Sequence, residues 1–282
     1  RRQRQMCIRD SAQGLEVVRP RRAAAGEEEV MSTADSLGSV IEPLLTGLVS
    51  KRPEVRVDWA YTELKEGIES GQWDDHLDQI RDRLNGYLRT DKVWTKALSA
   101  RLLNVLAAAG HFHYEDYLAF RAWYVTEDDT RGIVKDIGPI MAVGYGADYV
   151  ETCVRMGRIP AVEGAAIISC RLRAPGGVWH DDESLRLARA ACTTIAKSTS
   201  PHILEIWTER LSTTVLTEGI RNNNRAVVEN FAHFLTATAT MLRSEPEKWG
   251  IDAERAKLAL PMIAELEEQL RNSIPAGPST VS

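Results

Sequence analysis

The chain has 282 residues, 44% of them hydrophobic and 27% charged, which is long enough for one large core or two lobes and too apolar for a disordered chain. Its 35 Lys and Arg stand against 40 Asp and Glu, a formal charge of −5, which excludes a uniformly basic, histone-like binder and leaves room for a basic groove on an acidic body. No apolar run approaches the ~18–20 residues of a membrane span, and four cysteines without CxxC spacing argue against a disulfide scaffold or a zinc knuckle.

The opening RRQRQMCIRD reads as translated adapter sequence. Residues 11–30 carry Arg19, Arg21 and Arg22, then Glu27, Glu28 and Glu29, with no apolar period, as a leader or flexible arm would, and Met31 is the expected start. Without residues 1–30 the net charge is −7 and Cys153, Cys170 and Cys192 remain, widely spaced thiols expected to be packed and reduced.

From there the helical period dominates. Trp73, Leu77, Ile80, Leu84 and Leu88 make one apolar stripe over 73–89, and Val227, Val228, Phe231, Phe234, Leu235 and Leu242 another over 225–243, with Thr238 its weak point. A third stripe, over 92–109, stops at Gly110. Caps and periodicity predict further helices at 33–50, 57–70, 114–125, 147–157, 182–198, 202–220 and 252–272, with Pro201 in a first turn. Pro139 should end any helix begun after Glu127, and Pro261 should divide the last one. Only PEVRVDW (53–59) and AAIISCRLRA (165–174) are rich enough in β-branched residues for strands. The expected fold is all-α and two-lobed, with about ten helices and at most one short β-hairpin near 165–180. An acidic lobe (31–145) and a second lobe (146–274) would hinge at 143–147, where Gly144 and Gly146 flank Tyr145, and the tail 275–282 should be disordered.

Three acidic or histidine-bearing motifs invite a chemical reading. WDDHLD (73–78) matches the DDxxD spelling of isoprenoid and terpene synthases, whose aspartates hold magnesium and diphosphate; here Asp74, Asp75 and Asp78 open a helix, where acidic residues suit the dipole without a metal. HFHYED (111–116) offers His111 and His113, which lack helical i, i+4 partners and read as a polar turn. WHDDE (179–183) contains the His-Asp dyad of metal-dependent phosphohydrolases, but follows APGGVW as a helix cap would, Asp181 or Asp182 taking the first N–H groups. No metal, cofactor or catalytic residue is expected.

Charge gives the sharper clue. Residues 153–225 are net +3 inside a chain that is otherwise acidic. Arg155 and Arg158, and Arg186 and Arg189, are i, i+3 pairs on two predicted helices; Arg171 and Arg173 alternate on a possible strand; Arg221 and Arg225 bracket three asparagines. Paired guanidiniums can grip successive phosphates, and Tyr145, Tyr149 and a partly exposed Trp179 would stack on bases. FAHFL (231–235), following Trp207, resembles the FAxFD box of flexuous-filament coat proteins, with Leu235 in place of its aspartate, and a helical two-lobed body with loose ends is similar to RNA-virus nucleocapsid proteins. The resemblance covers that box and the general layout. It implies a coat or nucleocapsid role, in the cytoplasm or a virion.

The expected function is therefore a non-enzymatic protein that coats single-stranded RNA and self-associates through terminal arms, with no membrane partner. The alternatives are a magnesium-dependent all-α enzyme acting on a diphosphate through Asp74, Asp75 and Asp78, and a helical scaffold or adaptor with neither ligand.

Overall fold

Residues 33–174 and 176–273 are described by the structure, a computed structural model; the adapter and leader readings of 1–30 and the tail reading of 275–282 concern residues outside that range. The fold is all-α with one short hairpin. In chain order it runs α1 (Thr33–Gly47), a π-helical segment (Glu54–Tyr61), α2 (Thr62–Glu69), a 3₁₀ turn (Asp74–His76), α3 (Leu77–Tyr87), α4 (Val93–Ala108) and α5 (Tyr114–Tyr124). The hairpin β1 (Ile133–Val134) and β2 (Gly138–Pro139) follows, then α6 (Ala142–Arg155), α7 (Ala161–Arg173), α8 (Glu183–Lys197) and α9 (Pro201–Arg210). A second π-helical segment (Leu211–Thr217), α10 (Glu218–Arg221), α11 (Arg225–Ser244), a 3₁₀ turn (Pro246–Trp249) and α12 (Ala253–Ser273) complete it. No helix among the described residues is long and apolar enough to cross a membrane.

Buried apolar residues fall into two clusters. One gathers α1 to α5 around Trp73, Leu84, Leu102, Tyr117, Phe120 and Tyr149. The other gathers α7 to α12 around Ile168, Leu187, Trp207, Phe231, Phe234 and Ile263. Helix α6 feeds both, Tyr145, Tyr149 and Val150 into the first and Val143 and Ala147 into the second. Residues 143–147, read from the sequence as a hinge candidate, lie inside α6, where the glycines permit close packing. A Cβ at Gly146 would stand 2.1 Å from the Tyr124 ring, and one at Gly144 would stand 2.9 Å from the Arg186 stem.

Both predicted strands are helical. Residues 165–174 belong to α7, entered from Pro160 in an extended conformation, with Ile167, Ile168 and Leu172 buried at helical spacing. Residues 54–61 wind as π-helix because tertiary contacts claim Arg56, which is fully buried. Its guanidinium donates to the carbonyls of Lys51 (2.7 Å), Ile137 and Pro139 (3.3 Å). The hairpin forms elsewhere, with Ile133 opposite Pro139 and Val134 opposite Gly138, around a turn in which Asp136 and Gly138 have φ of 65° and 79°. Pro261 sits within an undivided α12. Thr238, expected as a weak point, is fully buried and donates to Phe234 O at 2.8 Å. Cys153 and Cys192 are packed thiols whose pKa burial pushes up to about 12.

Candidate nucleic-acid interface

The eight arginines expected to meet phosphates have different fates. Arg171 is 1% exposed and donates to Tyr124 O (2.8 Å) and Glu127 O (2.7 Å). It clamps the chain after α5 and is not on the surface, because the loop it serves has no ladder of its own for those carbonyls. Arg186 bridges Asp148 of α6 and Asp182 (2.8 Å), and Arg189 bridges Glu151 (2.9 Å) and Asp148 (3.6 Å). These two arginines therefore sit on one face, as their i, i+3 spacing predicts, but they tie α8 to α6. Arg225 holds Glu229 at 2.6 Å within α11, and Arg173 lies 3.9 Å from Glu218. Arg155, Arg158 and Arg221 are exposed, with no carboxylate within ion-pair distance among the described residues. The structure thus brings Arg186 and Arg189 together on the α6–α8 face, sets Arg155 in the last turn of α6 and Arg158 just beyond it, and leaves Arg173, Arg221 and Arg225 on α7, α10 and α11.

The stacking residues are corrected outright. Tyr145, Tyr149 and Trp179 are 5%, 1% and 4% exposed, so none offers a ring face to a base. Tyr149 packs edge-on against Phe120, 4.8 Å between centroids. Trp179 is drawn inside because Asn230 accepts from its backbone N–H (2.8 Å) and donates to Gly177 O (3.1 Å), which pins the glycine loop against α11.

What remains, at the edge of the first cluster that Arg186 of α8 reaches, is a stack that sequence reasoning missed. Arg101 of α4 lies over Tyr61 (4.0 Å to the ring centroid) and over Tyr145 (4.7 Å), and Arg186 lies over the same Tyr145 ring at 5.6 Å. The only hydrogen bond of Arg101 within the described residues goes to the Tyr145 hydroxyl at 3.4 Å, and no carboxylate pairs with Arg101 there. Burial raises the Tyr61 pKa despite Arg101, so the phenol stays a neutral donor. Tyr145, Asp148, Thr152 and Arg155 recur at 3, 4 and 3 along α6, a stripe that carries the stack toward Arg155. The only available signal for Arg101 was negative: α4 is apolar nearly all round, and Lys96, Arg101 and Asn104 are its long polar interruptions. Lys96 is accounted for by Glu127, which this lysine and the Trp123 N–H (2.6 Å) hold below the ordinary glutamate pKa against the opposing effect of burial.

The metal-like motifs stay apart. Asp74, Asp75 and Asp78 are exposed on a 3₁₀ turn and helix start, Asp78 89% so beside Arg81. His111 approaches Asp74 at 3.9 Å, and His113 precedes α5 in an extended conformation. No group of three or more His, Cys, Asp or Glu among the described residues is placed to hold a metal ion. The expected Asp cap of α8 is also corrected. Asp181 accepts from Ile133 N (3.0 Å) and Asp182 from Arg186, while neither accepts from the first N–H groups of α8. Comparison of the chain with protein-family models, curated proteins and solved structures finds no match.

Proposed function

We propose that this protein is a non-enzymatic helical protein that coats single-stranded RNA and self-associates, in the cytoplasm or a virion, using a narrower set of residues than the sequence suggests. One observation carries the reading: Arg101, within 4.0 and 4.7 Å of two tyrosine ring centroids at the edge of the first cluster, keeps guanidinium donors with no carboxylate among the described residues to receive them. Orientation of that cation is already fixed by the rings, so a phosphodiester oxygen gains charge-assisted hydrogen bonds at little further ordering cost. Arg155, on the α6 stripe, supplies a second cation, and Arg186 and Arg189 contribute field rather than free donors.

The paired state of Arg173, Arg186, Arg189 and Arg225 favours a second reading, a helical scaffold that binds no nucleic acid. Retention of a fluorescent oligouridine on a filter, titrated with salt, separates the two. The coat reading expects affinity to fall with rising salt, and R101M/R155M to lose about tenfold or more and to flatten the salt slope by ~0.7 for each lost phosphate contact. Absence of retention at low salt, or a double variant with unchanged affinity and slope, leaves the scaffold.

A further inference from the structure

The self-association half of this reading has a physical candidate that needs no nucleic acid. Helices α7 and α9 lie side by side, each presenting positions i, i+3, i+4 and i+7 to the other. On α7 these are Val162, Ala165, Ala166 and Ser169; on α9 they are Ile203, Ile206, Trp207 and Arg210. Small residues on one helix facing large ones on the other leave an apolar groove of about 260 Å³. Its floor is fixed, because Trp207 is buried and its Nε1 donates to Ser169 Oγ at 2.9 Å. The rims are open: Val162 is 55% exposed and Ile206 41%. Arg210 stands at one end, with no ion-pair partner among the described residues.

The complementary shape is on α5. Tyr114 and Leu118, i and i+4, are 47% and 44% exposed, and they form an apolar ridge flanked by Glu115, which likewise has no ion-pair partner among the described residues. Two unpaired opposite charges therefore border an apolar ridge and an apolar groove on the same molecule. Tyr114, Tyr117, Leu118 and Arg121 recur at i, i+3, i+4 and i+7 on α5; Glu163 of α7 binds Arg121 (3.4 Å) and the Tyr117 hydroxyl (2.8 Å), while Tyr114 and Leu118 stay half exposed and do not line the groove, so the ridge leaves it open within one chain. We infer that the groove between α7 and α9 receives the Tyr114–Leu118 ridge of a second copy of this chain, with Glu115 of one copy set against Arg210 of the other. Used reciprocally the contact closes a dimer; used in sequence it builds a ladder.

The experiment is light scattering after size exclusion, on RNA-free full chain over a concentration series. Concentration-dependent association is expected, weakened about tenfold by Glu115→Arg or Arg210→Glu alone and restored to near the original in the double swap, since the charges are exchanged rather than removed. Leu118→Glu, at an exposed position that leaves the interior untouched, should abolish it. A chain that stays monomeric throughout overturns the inference, and so does association indifferent to all three substitutions. Neither result bears on RNA retention, which is measured separately.

Discussion

Two stretches of this molecule wind as π-helix, and their differences say more than their likeness. Both close with a threonine hydroxyl that donates five residues back, Thr62 to Val57 O at 3.1 Å and Thr217 to Ser212 O at 3.0 Å. The first, Glu54–Tyr61, turns a cation inward: Arg56 is fully buried on three backbone carbonyls, and the segment ends on Tyr61 against Arg101. The second, Leu211–Thr217, buries Leu211, Val215 and Leu216 and turns hydroxyls outward, Thr213 and Thr214 bonding the carbonyls of Glu209 and Arg210. Clefts lined by Ser212 and Gln269 border it on the α12 side. The same local irregularity thus orders the interior in one place and borders open surface clefts in the other.

The contrast is broken most severely at Arg56. Arg56→Met leaves the carbonyls of Lys51, Ile137 and Pro139 buried without their charged donor, and should cost about 2–4 kcal/mol of stability in equilibrium urea unfolding. Thr214→Ala, in the other segment, removes a hydroxyl whose carbonyl partner is already on an exposed helix and should cost no more than about 0.5 kcal/mol. Equal losses would mean that the two segments are structurally equivalent after all.

A second pair of substitutions sharpens the point within helices. Gly146→Ala drives a methyl group into the Tyr124 ring where α6 joins the two clusters, and should destabilise by about 1–3 kcal/mol. Gly86, near the end of α3, has nothing within 4 Å of the position its Cβ would take and no positive φ. Gly86→Ala should therefore stabilise the chain by about 0.5–1 kcal/mol. Both are read from the same urea midpoints.

How much of this was legible beforehand follows from the range over which each feature is determined. Stripes such as 73–89 and 225–243 show because burial repeats every three or four residues along one segment. The hairpin did not show, since Ile133 and Val134 are only two residues and the richer run at 165–174 is claimed by α7 packing. Arg56 serves carbonyls 81 and 83 residues away, and nothing local announces a buried arginine. Arg186 and Arg189 were correctly placed on one face, but the carboxylates that occupy them, Asp148 and Glu151, come from 38 residues upstream. Spacing reveals which side chains share a face; it does not reveal what stands opposite.

The smallest expected effect concerns Glu183, where the hairpin meets α8. This carboxyl is fully buried; its Oε2 accepts from Asp181 N at 3.0 Å, and Oε1 has no hydrogen-bond partner among the described residues. Burial first, then the neighbouring Asp181 and Asp182, raise its pKa above the ordinary glutamate value, although backbone N–H groups pull the other way. A raised folded value means that the folded state holds the proton more tightly than the unfolded state does. The stability this contributes is fully present below the ordinary value of about 4.3 and is lost as pH rises through the folded one. Glu183→Gln, neutral at every pH, should therefore match the native chain in acid and exceed it slightly near neutrality. Asp116 and Asp148 are also raised, chiefly by burial, but both are common to the two proteins and cancel in their difference. Urea midpoints followed from acid to neutrality should part between native and variant as pH rises above the ordinary glutamate value and then run parallel; curves parallel throughout would show that folding does not raise the Glu183 pKa, the backbone donors at the head of α8 offsetting its burial.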